Sequence, residues 1–394
     1  MILAELVVDL DAIRHNVAQL GTLAKPARYA AVVKANAYGH GLAIVASALD
    51  GVVDAFCVYR ADEAVALRDA GVTSPILVMG PVEPRDLPDV LACGAAITLW
   101  DAAGFRREIA KVAHARDTRF PIHAKVETGV ARLGFSPLEA AGAITALVAD
   151  ADLDVRGVYT HLAAAEELES AFTLGQLETF RSVIDPLAAL LREHRIARHA
   201  AASAAAMLFP ALRLDLIRAG IATYGIWPSP ETRAAVGSAL ELRPALTWTT
   251  QIVVVRDVPA GTSIGYGCSY HAERASRIAV LPIGYAEGLP RALSNAGSAL
   301  VGGKRVPFVG RVCMNMSFLD VTDVADAHVG SRVTLVGSDG GRTIGANELA
   351  SWAATIGYEL VARLPDTIPR RYVEVAPPQS PSSTMAAARS SVPS

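Results

Sequence analysis

Between about Arg28 and Gly225, short apolar runs alternate with segments of helical period, and this repetition constrains the fold more than any other feature of the chain. The runs, such as RYAAVVK, DAFCV and PILVM, show no polar alternation, which is typical of strands buried on both faces. Amphipathic helical stretches follow most of them. Repeated βα units predict a parallel sheet, and seven or eight of them in succession predict an α/β fold with a (β/α)8 TIM-like barrel.

The pattern changes near Glu241. The next segments predict β structure interrupted by Gly, Pro and Asp, namely LTWTTQIVVVRDV, RIAVLPI, SALVGG, KRVPFVGRVCMNMSFLDV and SRVTLVG, with a helical stretch only at ANELASWAATIG. We therefore predict a barrel over residues 1–239, of which residues 1–10 are able to pair with the second domain, and a mainly antiparallel β domain over 240–375. Residues 376–394 are rich in Pro, Ser and Ala, and we expect them to be disordered.

Composition narrows the class of protein. The net charge of −3 gives no indication of a nucleic-acid or membrane surface, and no apolar run is long enough to span a bilayer. The four cysteines are scattered without a CxxC pair, as expected of reduced thiols in a cytoplasmic protein. We expect no secretory signal and no metal site.

Several predicted strands end at or near residues whose side chains can bind a ligand or take part in catalysis. These residues are Lys34, Lys125, Arg132, His161, Ser203 and Arg218. In a parallel barrel, the carboxyl ends of all strands face one mouth. A lysine at the end of a buried run costs desolvation free energy unless it has a partner or a function. Cations that converge from separate strands predict an anionic ligand, such as a phosphate together with a carboxylate.

The segment VVKANAYGHG closely resembles the pyridoxal-phosphate lysine motif of the alanine racemases, which are enzymes of fold type III. Other segments resemble that family in the same order, namely KVETGVARLGF, GVYTHLA, AAASAA, LIRAGIATYG, IGYGCSY, PIGYAEGLPR, GRVCMNMSFLDV and TIGYELVARLPDTIPRRY. One such motif is weak evidence, whereas an ordered series is specific. The resemblance implies a barrel that binds pyridoxal 5'-phosphate, a β domain, a homodimer with shared sites, and conversion between L- and D-alanine that supplies D-alanine for peptidoglycan.

The resemblance also implies two proton carriers. Racemisation removes the Cα proton from one face and returns a proton to the other, so bases are needed on opposite faces. Lys34 is expected to form the Schiff base with the cofactor and then to serve one face. Tyr266 of IGYGCSY is expected to serve the other face from the partner subunit, linked to His161 and Arg218.

Further roles follow from the family correspondence. Phosphate contacts are expected from Tyr38, Ser203, Gly220, Ile221 and Tyr358. Arg218 is expected to contact the pyridine nitrogen. Because arginine can only donate, that nitrogen should stay unprotonated, which shortens the life of the carbanion and favours racemisation over transamination.

Substrate contacts are implied as well. Arg132 and the backbone N–H of Met314, from the partner, are expected at the substrate carboxylate. Lys125 matches a lysine that is often carboxylated in the family and then pairs with Arg132. The implied substrate entrance comprises Tyr285, Arg291, Arg311 and Asn315, where the arginines would attract an anion.

The chain departs from the family pattern at five positions. Asp is usual at Glu127, Glu287 and Asn315, Asn at Ala202, and Ser at Gly265. The lost charge at Asn315 predicts an altered substrate range or an altered affinity for inhibitors such as cycloserine.

Other functions remain open at this stage. A racemase of broader specificity, including serine, fits the same motifs, because one hydroxyl or methyl gives little discrimination in an apolar site. A fold-type III decarboxylase would lack the Tyr266 segment. A non-catalytic pyridoxal-phosphate-binding protein would lack the β domain. An enzyme of the zinc-dependent D-threonine aldolase type would need a metal-binding cluster near the C-terminus.

Overall fold

The computed structural model describes residues 3–101, 105–168 and 170–374, so the tail predicted to be disordered lies outside the described residues. The chain begins with strand β1 (Glu5–Asp9) and helix α1 (Leu10–Ala24). Asp9 caps the helix by accepting a hydrogen bond from the backbone N–H of Ala12 at 2.8 Å. Buried Leu10, Ile13, Val17 and Leu20 recur at helical spacing, so one face of α1 packs into the core.

Eight parallel strands then form the barrel. They are β2 (Arg28–Val32), β3 (Ala55–Val58), β4 (Ile76–Val78), β5 (Ala96–Leu99), β6 (Phe120–Lys125), β7 (Leu153–Tyr159), β8 (Ala197–His199) and β9 (Leu216–Ala219). Strands β2 to β8 pair in sequence order, and β2 also pairs with β9. Backbone hydrogen bonds from Asp215 to Arg198 and from Arg218 to Ala201 link the two remaining edges. The predicted TIM-like barrel is confirmed as a nearly closed ring.

Helices follow most of the barrel strands. They are α2 (Lys34–Tyr38), α3 (Leu42–Leu49), α4 (Ala61–Asp69), α5 (Leu87–Ala92), α6 (Arg106–Ala115), α7 (Pro137–Val148), α8 (Ala171–Ile184), α9 (Ala188–Glu193), α10 (Ser203–Leu208) and α11 (Pro230–Val236). Of these, α2 is a left-handed turn rather than a regular α-helix. Every residue of β6 is buried, which explains why the barrel strands lack polar alternation.

The second part of the chain is mainly antiparallel β structure, as predicted. Its strands are β10 (Leu246–Gln251), β11 (Val254–Val258), β12 (Ser263–Ile264), β13 (Tyr270–His271), β14 (Ser276–Leu281), β15 (Ser298–Val301), β16 (Lys304–Pro307), β17 (Ser317–Asp320), β18 (Arg332–Asp339), β19 (Arg342–Ile344) and β20 (Arg370–Val373), and its helices are α12 (Ala346–Trp352) and α13 (Gly357–Ala362). Strand β1 pairs antiparallel with β10 and parallel with β20. The N-terminal strand therefore belongs to this sheet, around the fully buried Trp248.

Some details differ from the sequence prediction. The run RYAAVVK does not stay extended to its lysine, because β2 ends at Val32 and Lys34 begins a turn. The segment KRVPFVGRVCMNMSFLDV contains two strands, β16 and β17, separated by an irregular loop. Gly310 causes part of that irregularity, since its φ of +73° lies outside strand geometry. Glycine is required there, because an added Cβ would lie 2.8 Å from the carbonyl oxygen of Ile264.

The helices of the described residues are too short or too polar to traverse a lipid bilayer. Within the same residues, no group of three or more His, Cys, Asp or Glu side chains is arranged to hold a metal ion.

Candidate active site

A cavity of about 1030 Å³ lies at the carboxyl ends of the barrel strands. Its lining includes Lys34, Tyr38, Lys125, Arg132, His161, Ser203, Arg218, Gly220, Ile221 and Tyr358. Every barrel residue that the sequence analysis assigned to a cofactor, together with Lys125 and Tyr358, therefore faces one space. The residues come from strands and loops far apart in the chain, so the barrel brings them together.

Lys34 precedes an unusual backbone turn. The four residues Ala35–Tyr38 have φ values of +52° to +53°, which is the left-handed region. That conformation costs about 1–2 kcal/mol for each residue with a Cβ. Such a run persists only where surrounding contacts impose it, and it directs the chain sharply away from β2 directly after the lysine.

Two glycines allow this turn to pack against the second part of the chain. At Gly39, with φ of +78°, an added Cβ would lie 2.0 Å from the carbonyl oxygen of Val361. At Gly41, with φ of +103°, it would lie 1.9 Å from the hydroxyl of Tyr372. The YGHG part of the lysine motif is therefore explained by close approach between the barrel and α13 and β20.

Positive charge is concentrated in the cavity. Burial, and then the neighbouring Arg132, lower the pKa of Lys34. The same causes in the same order lower the pKa of Lys125 to about 8. Burial and then Arg218 lower the pKa of His161 to about 3, so that the ring is neutral near pH 7. The cavity thus favours neutral amines and an anionic ligand.

Arg218 is held by a network of buried groups. Its side chain donates to Nδ1 of His199 at 2.7 Å and to the carbonyls of Thr160 at 2.8 Å and Ala200 at 3.1 Å. The guanidinium also lies 4.9 Å from the centre of the Tyr159 ring. Because arginine cannot accept, His199 Nδ1 must be unprotonated and its Nε2 must carry the hydrogen.

That tautomer determines the next bond. Nε2 of His199 donates to Nδ1 of His123 at 2.9 Å, so the hydrogen of His123 is on its Nε2. Burial lowers the pKa of both rings, and that of His123 falls to about 3. Two neutral histidines therefore orient the cation without compensating its charge.

Another part of the cavity wall is suited to a phosphate. The hydroxyl of Ser203 accepts a hydrogen bond from the backbone N–H of Gly220 at 3.0 Å. A Cβ at Gly220 would lie 2.4 Å from the hydroxyl of Tyr38, so only glycine leaves room there. Tyr358 lies beside Tyr38, with ring centres 6.4 Å apart. Hydroxyl and backbone N–H donors with nearby cations fit the phosphate of pyridoxal phosphate, and Lys34 fits its aldehyde.

The departure at Ala202 is visible in this wall. Ala202 is the residue before helix α10, where it makes no side-chain capping hydrogen bond. An asparagine at this position would be able to cap the helix. The chain thus keeps Ser203 in the cavity but gives up one stabilising contact next to it.

The remaining predicted site residues form a second group outside the cavity lining of the described chain. They are Tyr266, Tyr285, Arg291, Arg311, Met314 and Asn315. Backbone hydrogen bonds join the loop of Tyr285 to that of Met314, from Tyr285 to Cys313 and from Ala286 to Met314. Ser294 connects the turn after Arg291 to the same loop through the N–H of Val312.

This second group includes large aromatic and thioether side chains that are exposed. The side chain of Tyr266 is 71% exposed and that of Met314 is 57% exposed, and Met316 and Tyr285 are also exposed. A Cβ at Gly267 would lie 2.8 Å from the guanidinium of Arg311, so this cation lies beside the Tyr266 turn. The group therefore presents a phenol, a cation and a thioether to the exterior of one chain.

The sequence analysis did not identify Glu63, His123, His199 and Tyr159, which surround the lysine and arginine of the site. A signal existed for His123, because it lies two positions before Lys125 on β6 and so points to the same side of the strand. For Glu63 the signal was a glutamate in the first turn of the helix that follows a buried strand.

Comparison with known proteins identifies the family. Residues 8–228 match the model of the alanine racemase N-terminal domain, and residues 245–372 match that of the alanine racemase C-terminal domain. The chain belongs to the alanine racemase family. It is 41% identical over 372 residues to the alanine racemase of Desulforamulus reducens, covering 93% of this chain and 98% of that protein. It is 37% identical to that of Methanococcus maripaludis, covering 93% and 97%.

Solved structures of alanine racemases agree. The alanine racemase of Clostridium difficile 630 has a TM-score of 0.87 at 31% identity, covering 95% of this chain and 96% of that one. The Bartonella henselae alanine racemase with covalently bound pyridoxal phosphate has a TM-score of 0.82 at 26% identity, covering 95% and 100%. The family and the barrel-plus-sheet architecture predicted from the sequence are thus confirmed.

Proposed function

We propose that the protein is a pyridoxal-phosphate-dependent racemase that interconverts L- and D-alanine through two bases, Lys34 and Tyr266. The observation that carries the proposal is the cavity in which a half-buried lysine, a cluster of cations and a set of donors for a phosphate meet. Bound through its aldehyde, pyridoxal phosphate supplies delocalisation of the negative charge that develops at Cα. The side chains of the protein must hold the cofactor, bind the substrate and transfer the proton.

Lys34 is proposed to hold the cofactor and to exchange the Cα proton on one face. Burial and Arg132 lower the pKa of its amine, so a neutral amine able to accept a proton is available closer to neutral pH than for an exposed lysine. The left-handed turn that follows limits where its side chain is directed.

Arg218 is proposed to hydrogen-bond the pyridine nitrogen. His199 and two carbonyls use three of its five N–H groups and hold the guanidinium in place. An arginine so fixed would hold the ring nitrogen of the bound cofactor and, because arginine can only donate, would leave that nitrogen unprotonated. A cofactor held in this way would delocalise charge at Cα less strongly, which would favour racemisation over transamination.

Arg132 is proposed to bind the substrate carboxylate. Lys125 is proposed to be carboxylated, because an amine with a pKa of about 8 is substantially neutral at pH 8 and reacts with carbon dioxide in that form. The resulting carbamate would turn a cation into an anion and would pair with Arg132. Repulsion among the lining cations would fall accordingly.

Tyr266 is proposed to reach the cavity of a second copy of the chain, in a homodimer with shared sites. Its exposure, and that of Met314 from the same group, supports the proposal, because a phenol and a thioether on an isolated surface leave apolar area unburied. A closed two-fold dimer would bring two such groups to two cavities at once.

Incubation with single enantiomers tests the activity. Purified protein with pyridoxal phosphate should convert L-alanine and D-alanine to the same near-equal mixture, detected by chiral chromatography, with serine assayed in parallel. Borohydride reduction followed by peptide mapping should locate the cofactor on Lys34. Amine products would indicate decarboxylation, and absence of turnover would indicate a binding protein, so either result would overturn the proposal.

Mixing two inactive variants tests the shared site. Lys34→Ala and Tyr266→Phe should each be inactive alone, because each lacks one proton carrier. Co-refolded heterodimers contain one intact site of two, so about a quarter of wild-type activity should return after random exchange. Mixing Lys34→Ala with Arg218→Ala is the control, because both residues belong to the same barrel cavity. Every site of that heterodimer lacks one of the two residues, so activity should not return. Failure of the first mixture to recover activity, despite dimers, would place both bases in one chain.

A further inference from the structure

Glu63 occupies a position that links two barrel strands. It is the third residue of α4 and is only 5% exposed. Its Oε1 accepts from the backbone N–H of Ala35 at 2.7 Å. Its Oε2 accepts from the N–H groups of Tyr59 at 2.9 Å and Arg60 at 3.0 Å. One carboxylate therefore ties the segment after β2 to the segment after β3.

Helix capping explains only part of this arrangement. A glutamate in the first turn commonly accepts from the N–H of the residue before the helix, which here is Arg60. Capping does not account for the bond to Ala35, which belongs to a different strand and lies 28 positions away in the chain. The carboxylate is thus divided between its own helix and the lysine segment.

The hydrogen bond to Ala35 lies where the chain turns directly after the lysine. Ala35 is the first residue of the left-handed turn and directly follows Lys34. A hydrogen bond from a backbone N–H to a carboxylate is stronger than one between neutral groups, so this bond offsets much of the strain of a left-handed residue. It therefore holds the peptide between Lys34 and Ala35 in its unusual orientation.

The negative charge of Glu63 lies close enough to the cations of the site to affect the pKa of Lys34. The cavity lining carries Lys34, Lys125, Arg132 and Arg218. Glu63 raises the pKa of Lys34, in the opposite direction to burial and Arg132, which lower it. A neutral side chain of equal shape at this position would keep the packing but would no longer raise the pKa of Lys34.

We propose that Glu63 is a positioning residue for Lys34, fixing the peptide that carries the amine and supplying the negative charge that opposes Arg132. The role rests on the proposed function of Lys34 as the cofactor lysine. Glu63 is not part of the cavity lining, so its proposed effect reaches the site only through the lysine.

Capture of pyridoxal phosphate by the cofactor-free protein provides the test. The rate of covalent capture is followed by absorbance over a range of pH, and borohydride reduction with peptide mapping confirms the site. Glu63→Gln keeps the length of the side chain but removes its charge, and its amide nitrogen cannot accept. We expect the limiting rate of capture at high pH, where the amine is neutral in both proteins, to fall on the order of tenfold, because the peptide that carries the amine is no longer held. The pH at half-maximal rate should move lower, because loss of the negative charge lowers the pKa of Lys34 further.

Two companion variants separate positioning from general stability. Glu63→Asp keeps the charge but shortens the side chain, so capture should slow with little change in its pH profile. If Glu63→Gln does not fold, the Glu63→Asp variant provides the test of positioning. Asp50→Asn is the control, because Asp50 accepts from the N–H groups and hydroxyls of Thr73 and Ser74 in a loop clamp outside the cavity lining. It should lower the unfolding temperature and leave capture unchanged.

The outcomes are distinguishable. If Glu63→Gln lowers the unfolding temperature while the rate and pH profile of capture stay those of the wild type, Glu63 has only a structural role and the inference is wrong. If the wild-type protein itself is not modified at Lys34, the proposed function fails first.

Discussion

At the scale of single residues, two departures from the family pattern prove to be partners. Asn315 donates from Nδ2 to Oε1 of Glu287 at 2.8 Å, and Oε2 of Glu287 accepts from the N–H of Gly284 at 2.9 Å. Sequence comparison treats the two positions separately, since they lie 28 residues apart. An amide beside a carboxylate gives a neutral donor to a charged acceptor, which is a favourable pair.

Replacement of Asn315 by Asp should break that pair. Two carboxylates at hydrogen-bond distance repel, so one would have to take up a proton or the loop would have to move. We expect changed relative rates on alanine and serine and changed inhibition by cycloserine in Asn315→Asp, measured by chiral chromatography. Adding Glu287→Gln should restore much of the wild-type profile. Identical profiles in all three proteins would show that the loop does not affect the substrate.

At the scale of elements, a glycine in strand β7 leaves room for a histidine side chain of the neighbouring strand β6. A Cβ at Gly157 would lie 2.3 Å from Nδ1 of His123, the atom that accepts from His199. The neighbouring strand therefore has to carry glycine at this register for the histidine pair behind Arg218 to form. Strand periodicity alone contains no such information, because the contact joins β6 and β7 through their interior.

Gly157→Ala should consequently destabilise the protein. Overpacking of a buried site costs about 1–3 kcal/mol, so the urea midpoint of unfolding should fall. Gly142→Ala is the matched control, because Gly142 lies within α7 with no atom within 4 Å of an added Cβ. There the substitution should stabilise by about 0.5–1 kcal/mol, since alanine favours a helix more than glycine does. Equal effects at both positions would contradict the packing argument.

At the scale of the whole molecule, buried neutral histidines tie stability to pH. Burial lowers the pKa of His40 to about 4 and that of His123 and His161 to about 3, from an ordinary value near 6.5. Below pH 6.5 the unfolded chain therefore binds more protons than the folded chain. The contribution of these rings is fully present above pH 6.5 and is lost as the pH falls toward their folded-state values.

The free energy of unfolding should accordingly be lower at pH 5.0 than at pH 7.5, as measured by urea denaturation. Carboxylates such as Asp50, whose pKa is lowered by hydrogen bonds from Ser74 and Thr73, lose their contribution only nearer pH 4 and below, so they add little to the difference between pH 5.0 and pH 7.5. His123→Asn should weaken the dependence on pH. His271→Asn, at an exposed position, should not change it. A free energy independent of pH over this interval would show that the buried rings do not govern acid stability.

The sequence by itself determined the architecture and the identity of most cavity residues. Uninterrupted apolar runs that alternate with helices pair as parallel strands, and parallel pairing brings the carboxyl ends of the strands to one edge. Lys34, Lys125, Ser203 and Arg218 were therefore expected to converge. Ordered motifs then indicated the family. These properties depend on neighbours along the chain, which periodicity and spacing describe.

Only the tertiary structure decided how those residues are held. The left-handed turn after Lys34, the carboxylate of Glu63 between two strands, the histidine pair behind Arg218 and the pairing of Asn315 with Glu287 all depend on contacts between distant segments. Local propensity even opposes the first of them, because alanine and tyrosine disfavour positive φ. Such features exist because packing and buried hydrogen bonds across the fold outweigh local preference, and that balance is established only when the segments meet.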